Sequence, residues 1–340
     1  MARATIEDVA DKAGVSVATV DRVLNGRAQV RPKNAKLVEA AIRALNYHPD
    51  RLAARLAKGR EYRFCFVLPK GENIFMRGLE QEIINHAGHL EAERVQADTL
   101  YTDVFDPQML AETLNSLKGY DGVAVVALDH PRVREAIARL SEQGVAVVTL
   151  VSDVPGSARA HFVGIDNSSA GRTAATLMGR YCGGRSGQVG IIAGSLGLRD
   201  HAERHFGFTQ VMQQEHKNLK VLPVCEGYDN AAQNQRLVSD MLDATPDLAG
   251  LYNIGGGPEG ILAAFGASKR KTKTVFITHE VNAVTRKGLM DGVIDAVIAQ
   301  DPGHEIRSAM RVLMAKCDRV PIIAAMERIS IDIFVRDNLP

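Results

Sequence analysis

Apolar residues in this chain keep two different rhythms. Over the first 47 residues they recur three and four positions apart: Ile6, Val9, Ala10 and Ala13, then Val20, Val23 and Leu24, then Val38, Ile42 and Leu45. That spacing gathers apolar side chains on one face of a helix and predicts three helices. Thr5-Ile6-Glu7-Asp8 has the capping-box form, with Thr5 as N-cap. Gly14 ends the first helix, and Ser16 caps a second that runs to about Asn25 before Gly26 stops it. The third begins near Pro32. Two short helices joined by three residues around a glycine form a helix-turn-helix. At about 100° per residue, Val20, Val23 and Leu24 of the second helix share a core side, and Val17, Ala18, Asp21, Arg22 and Asn25 fall roughly opposite.

From residue 61 the rhythm changes to short apolar runs separated by helical stretches. FCFVLP (64–69), GVAVVAL (122–128), AVVTLV (146–151), QVGIIAG (188–194), GLYNIG (250–255), TVFITH (274–279) and DAVIAQ (295–300) read as strands, and ISIDIFV near the end as a last one. Strands alternating with helices predict parallel sheets covered on both faces. So many strands, with fresh helical cover after 165, suit two doubly wound subdomains better than one. Their crevice is then the default ligand site. The expected organisation is a helix-turn-helix domain over 1–47, a hinge helix or linker over 48–60, and an α/β domain over 61–340. The chain is expected to cross between subdomains near 162 and again within 280–325.

Charge sharpens the contrast between head and body. The whole chain carries a net charge of +1, yet its first 60 residues hold 12 Lys/Arg against 6 Asp/Glu, leaving −5 for the rest. A basic head on a mildly acidic body is an electrostatic footprint for nucleic acid. The cysteines, Cys65, Cys182, Cys225 and Cys317, have no metal-site or CxxC spacing and read as reduced, mostly buried thiols. No signal-peptide pattern and no apolar run near 18 residues occurs. A cytoplasmic protein with no membrane association, no metal and no cofactor is expected.

TIEDVADKAGVSVATVDRVLNGRAQVRPKNAKLVEAAIRALNYHPDRLA resembles the DNA-binding domain of the LacI/GalR family of bacterial transcription regulators. The resemblance implies that the second helix enters the major groove, with Val17, Ala18 and Arg22 at the base-reading positions. Arg22 suits a bidentate guanine contact, and Val17 and Ala18 suit a thymine methyl. It places Thr5, Ser16, Thr19 and Asn25 near phosphates. Asp21 stands where the family usually has Ser. Three roles for it stay open: accepting from a cytosine amino group, holding a neighbouring basic side chain toward a phosphate, or lowering affinity. PDRLAARLAKGR resembles the family's hinge helix, with Leu56 as a minor-groove wedge that kinks the duplex. A plain interdomain linker is the alternative.

The body resembles the type I periplasmic-binding-protein fold, the sugar-sensing half of the same family. The resemblance implies effector contacts from Asn73, Phe75, Asp129, His130, Arg204, Asn253, His279 and Gln300, with Arg199 as a neighbour. His279 takes the place of a common Asp, and a neutral imidazole gives one hydrogen bond and takes one. Arg199, His201, Arg204 and His205 lie close in sequence. They suit an acidic or phosphorylated ligand, or are in part solvated at a helix start. NIGGGPEG (253–260) lacks the Lys-Ser/Thr of a phosphate loop and reads as a tight turn before a helix.

The expected function is a sequence-specific transcription regulator, read as a repressor and not as an enzyme. A homodimer would grip a pseudopalindromic double-stranded operator under the control of a sugar, a polyol or a phosphorylated derivative. A solute-binding protein for transport would call for an export signal and no basic head. A sugar-metabolising enzyme would call for phosphate and metal residues that the sequence does not display.

Overall fold

The computed structural model describes residues 4–24, 30–47, 61–71, 73–268 and 273–340. Two compact units result, Met1–Glu61 and Tyr62–Pro340. The expected hinge helix over 48–60 with its Leu56, and Asn25, lie outside the described residues.

The first unit holds α1 (Ile6–Ala13), α2 (Val17–Leu24) and α3 (Pro32–Leu45). The capping box closes as the sequence predicts: Asp8 N donates to Thr5 Oγ1 at 3.2 Å, and Thr5 N to Asp8 Oδ2 at 2.7 Å. Gly14 ends α1 at φ 64°, a left-handed conformation that strains residues with a Cβ. Thr19 N donates to Ser16 Oγ at 3.3 Å, which caps α2. Val9, Ala10, Ala13, Val20, Val38, Ala41 and Tyr47 form the core. Each of the three helices supplies one apolar stripe to it.

The second unit begins with β1 (Tyr62–Pro69), α4 (Ile74–Asn85), α5 (Ala87–Ala92), β2 (Val95–Thr102), α6 (Pro107–Ser116), β3 (Gly122–Val125), α7 (Pro131–Glu142), β4 (Ala146–Leu150) and β5 (His161–Val163). These strands form a parallel sheet in the order β2-β1-β3-β4-β5. There follow α8 (Asn167–Cys182), β6 (Gly187–Ala193), α9 (Arg199–Glu215), β7 (Leu219–Val221), β8 (Cys225–Glu226), α10 (Ala231–Ala244), β9 (Leu248–Asn253), α11 (Pro258–Ala267), β10 (Val275–His279), α12 (Ala283–Met290), β11 (Ala296–Ala299), α13 (Pro302–Cys317) and β12 (Asp332–Phe334). Their sheet runs β12-β11-β10-β9-β6-β7, with β8 also paired to β6 and β12 the antiparallel member.

Each apolar run singled out in the sequence is a strand. The strands without such a signal, β2, β5, β7 and β8, lie at or beside sheet edges. An edge strand is covered less and needs fewer apolar residues.

The chain crosses between the sheets after β5, returns at α13, which packs on β3, β4, β5 and α4, and crosses again to add β12 beside β11. The interval 280–325 therefore contains the return, and one more crossing follows it. Each sheet with its helices is a lobe, and the cleft between the lobes lies at the C-terminal strand ends, where open α/β sheets bind ligands.

Candidate functional site

Two helices set the floor of the cleft. α8 and α9 cross so closely that a Cβ on Gly171 would stand 2.0 Å from Arg204 O, and one on Gly207 2.2 Å from Ser168 O. That approach brings the Arg204 guanidinium against the start of α8. Its Nε donates to Asn167 Oδ1 at 2.8 Å and its Nη1 to Ile254 O at 3.0 Å. Nη2 is buried with no hydrogen-bond partner among the described residues, and Arg204 lines the cleft.

The cavity measures about 290 Å³. It is walled by the loops after β1, β2 and β4 on one side and by those after β8, β9, β10 and β11 on the other. This is near the lower end of small-molecule pockets, roughly 300–1,000 Å³, and suits a ligand the size of one sugar ring. On the floor, His279 Nε2 meets Tyr252 Oη at 2.8 Å. Burial, with Arg204 and His201 nearby, holds the imidazole pKa well below its usual value, so the ring is neutral. The Tyr252 proton is satisfied when it points at Nε2, which leaves Nδ1–H as a donor. Nδ1 itself has no partner among the described residues. Gln300 donates through Nε2 to Glu280 Oε1 at 2.9 Å, and Gln300 Oε1 is likewise unpartnered.

Asp200 Oδ1 and Glu259 Oε2 complete this set of unpaired atoms around the cleft. Asp200 Oδ2 lies 3.6 Å from His201 Nε2. Glu280 is pushed up to about 7, chiefly by burial, against the pull of Arg204 and two bonds from Gln300. Glu305, fully buried with both carboxylate oxygens unpartnered, is raised well above the carboxylate range by burial and by Glu280.

The rim carries contacts between the lobes. Asn73 Oδ1 caps α4 by accepting from Phe75 N at 3.0 Å, while its Nδ2 donates to Asp229 Oδ2 across the cleft at 2.8 Å. Phe105 meets Tyr228 edge-on, with ring centroids 5.8 Å apart. Val151, Tyr228, Asp229 and Glu280 hold φ between 52° and 64°, and all four line the cleft. Such left-handed backbone costs of order 1–3 kcal/mol per non-glycine residue and clusters at ligand clamps.

Of the residues expected to meet the effector, Asn73, Phe75, Arg204, His279 and Gln300 come together here. Four others do not. Asp129 is turned to Arg134, whose Nε donates to it at 2.9 Å. His130 spends its Nδ1 on the start of α7, accepting from Arg132 N at 3.3 Å. Arg199 pairs with Glu203 on the exposed side of α9. Asn253 is the last residue of β9 and is fully buried, donating to Gly255 O and Thr278 Oγ1. The turn after it lines the cleft in its stead.

Asp200, His201, Asp229, Glu259 and Glu280 line the cleft too; of these only His201 drew notice in the sequence, as part of the basic stretch at 199–205. Helical phase from Arg204 identifies the first two: positions three and four before it share its face, whereas Arg199 is turned about 140° away. Glu280 follows His279 and should point to the other side of the strand. Its φ of 64° turns it back.

In the first unit, Thr5, Ser16, Val17, Ala18 and Arg22 are exposed, while Thr19 and Asp21 are half-buried. Val17, Ala18 and Arg22 thus form an outward face of α2, opposite buried Val20. Asp21 is not a free carboxylate.

Residues 5–50 match the lacI family of bacterial regulatory proteins, and residues 64–319 match the periplasmic binding protein domain. The chain is 26% identical over 248 residues to catabolite control protein A of Staphylococcus aureus, an alignment covering 72% of this chain and 71% of that one. In fold it is similar to the glucose-galactose binding protein GanP of Geobacillus stearothermophilus, with TM-score 0.73, 20% identity, and 83% of this chain and 99% of that one covered. It is also similar to a solute-binding protein of Burkholderia graminis solved with D-arabinose, with TM-score 0.73, 22% identity, and 82% and 96% covered. Among the described residues no helix is long and apolar enough to cross a membrane, and no group of His, Cys, Asp and Glu is arranged to hold a metal. With a lacI-type helix-turn-helix joined to a periplasmic-binding-protein-like α/β domain, the chain belongs to the LacI family of bacterial transcription regulators and is a DNA-binding regulator.

Proposed function

We propose that the protein is a repressor that binds a pseudopalindromic operator as a homodimer and changes its grip when a small polyhydroxylated molecule, a sugar or polyol, enters the cleft. The observation that carries this reading is a cavity the size of one sugar ring lined by buried side chains whose polar atoms lack a partner among the described residues. Arg204 Nη2, His279 Nδ1, Asp200 Oδ1 and Gln300 Oε1 each belong to a residue no more than 5% exposed. Buried polar atoms without partners cost roughly 1–3 kcal/mol each, and a ligand hydroxyl, which both donates and accepts, relieves that cost.

The lining weighs against the phosphorylated effector that the Arg/His-rich stretch at 199–205 suggests. Lys70 and Arg204 face Asp200, Asp229, Glu259 and Glu280, and His279 is neutral. Within α9, Arg199 is paired to Glu203, and burial lowers the pKa of His205. The DNA end of the reading rests on the outward Val17, Ala18 and Arg22.

Selection of operator fragments from random DNA, followed by band shifts with and without sugars, tests both ends. A palindromic consensus, and release or recruitment by at least one small polyol, are expected. Binding without sequence preference at moderate salt would remove the regulator reading. A ligand at a hundred times its dissociation constant should add about 2.7 kcal/mol of stability, visible as a raised Tm.

A further inference from the structure

The charge and hydrogen-bonding pattern of the cleft narrows the ligand class further, on the premise that the cleft is the effector site. We infer that the effector is a polyol bearing a protonated amine, an amino sugar or ring-nitrogen sugar, with its ammonium seated against Asp200 and Glu259. Two observations carry this independently.

The first is a donor and acceptor count. Among the described residues, the unpartnered buried atoms of cleft-lining side chains are the acceptors Asp200 Oδ1, Glu259 Oε2 and Gln300 Oε1, with about two lone pairs each, against three N–H groups, two on Arg204 Nη2 and one on His279 Nδ1. A hydroxyl brings one donor and two lone pairs, whereas a primary ammonium brings three donors, a protonated ring nitrogen two, and neither brings an acceptor. The excess of acceptors is therefore filled by an ammonium better than by another hydroxyl.

The second is charge. Among the described residues four carboxylates and two cations line the cleft, and Arg204 already gives two of its nitrogens to Asn167 and Ile254. A buried cation is stable where it is both paired and hydrogen-bonded, and Asp200, 4% exposed, supplies one such oxygen.

Titration calorimetry on the full chain at pH 6.5, where the amines carry their proton, tests the inference. The probes are 2-amino and 6-amino hexoses, a ring-nitrogen iminosugar, the parent neutral hexoses, the N-acetyl forms and hexose 6-phosphates. At least one amine is expected to bind tenfold or more tightly than its neutral parent, with the gain lost on N-acetylation. Asp200→Asn and, separately, Glu259→Gln should cut the amine-to-parent affinity ratio at least fivefold. The ratio is read within each variant, so a general loss of stability does not mimic the effect. A neutral or phosphorylated sugar binding as tightly as its amine, or no binding by any amine, overturns the inference. If a neutral hexose moves the operator equilibrium and its amine does not, the regulator reading stands and only the ammonium falls. If no probe binds, the effector reading falls with it.

Discussion

Glu280 shows how one side chain couples the cleft to pH. Facing it are Arg204 and Asp200 from α9, Gln300 after β11 and Glu305 from α13. Its carboxyl group rises from 4.5 to about 7 in the folded protein. Between those values the native state keeps a proton that the unfolded chain has lost, so stability from this group falls as pH rises through the window and levels off above about 7. Glu280→Gln should flatten that limb. Relative to wild type, the variant should gain up to about 3 kcal/mol between pH 4 and pH 8 at 1.36 kcal/mol per pKa unit. Urea melts at both ends measure the slope, and an unchanged slope would place the proton elsewhere, with Glu305 the next candidate. In the first unit, Asp21 is half-buried and engaged on a helix whose outer face holds Ala18 and Arg22. If it steadies a basic neighbour toward a phosphate, Asp21→Ser changes affinity by a common factor across operator variants. A change confined to one base pair would instead make Asp21 a reader of cytosine.

Among the elements, the crossing of α8 and α9 controls the site most directly. Gly171→Ala places a methyl within 2.0 Å of Arg204 O, where backbone cannot yield cheaply, and should cost about 3 kcal/mol or more while shifting the guanidinium out of reach of ligand. Gly266→Ala, with nothing within 4 Å of its added methyl, should stabilise α11 by about 0.5–1 kcal/mol. Thermal melts and ligand titration separate the two. The same elements show what a sequence discloses. Central strands such as β1 and β9, and the caps at Thr5 and Gly14, are local patterns and read directly. β2 and β5 escape because an edge strand lacks a continuous apolar run. Arg204, His279 and Gln300 sit at matched positions that line the cleft, while Asp129 and Arg199 do not line it, because a strand end or helix start fixes proximity but not the direction of the side chain. Asp229 lies in a turn with left-handed φ and had no readable signal.

For the effector-binding unit as a whole, opposed contacts at the rim decide how far the lobes part. Asn73 both caps α4 and reaches Asp229 in the other lobe. Asn73→Asp keeps the capping oxygen but sets a second carboxylate against Asp229. The cleft should open, giving a larger radius of gyration by small-angle scattering at pH 8 and reverting as the carboxylates are protonated near pH 4. An unchanged radius at both pH values would mean that the Phe105–Tyr228 contact holds the lobes alone. The regulatory coupling expected of such opening is of order 1–3 kcal/mol between effector and operator.

The interleaving of the lobes reaches beyond mechanics. The first lobe borrows α13 from Pro302–Cys317, and the second reclaims β12 at Asp332–Phe334. No single cut in the gene therefore separates one lobe from the other, and a recombinant that exchanged half of the sensor would mispair both halves. The head, encoded by one uninterrupted stretch before Tyr62, can pass to another sensor in a single crossover. New pairings of head and sensor can thus be acquired by shuffling whole units, whereas a change of specificity within one sensor is reached by substitution in the cleft and not by exchange of a lobe.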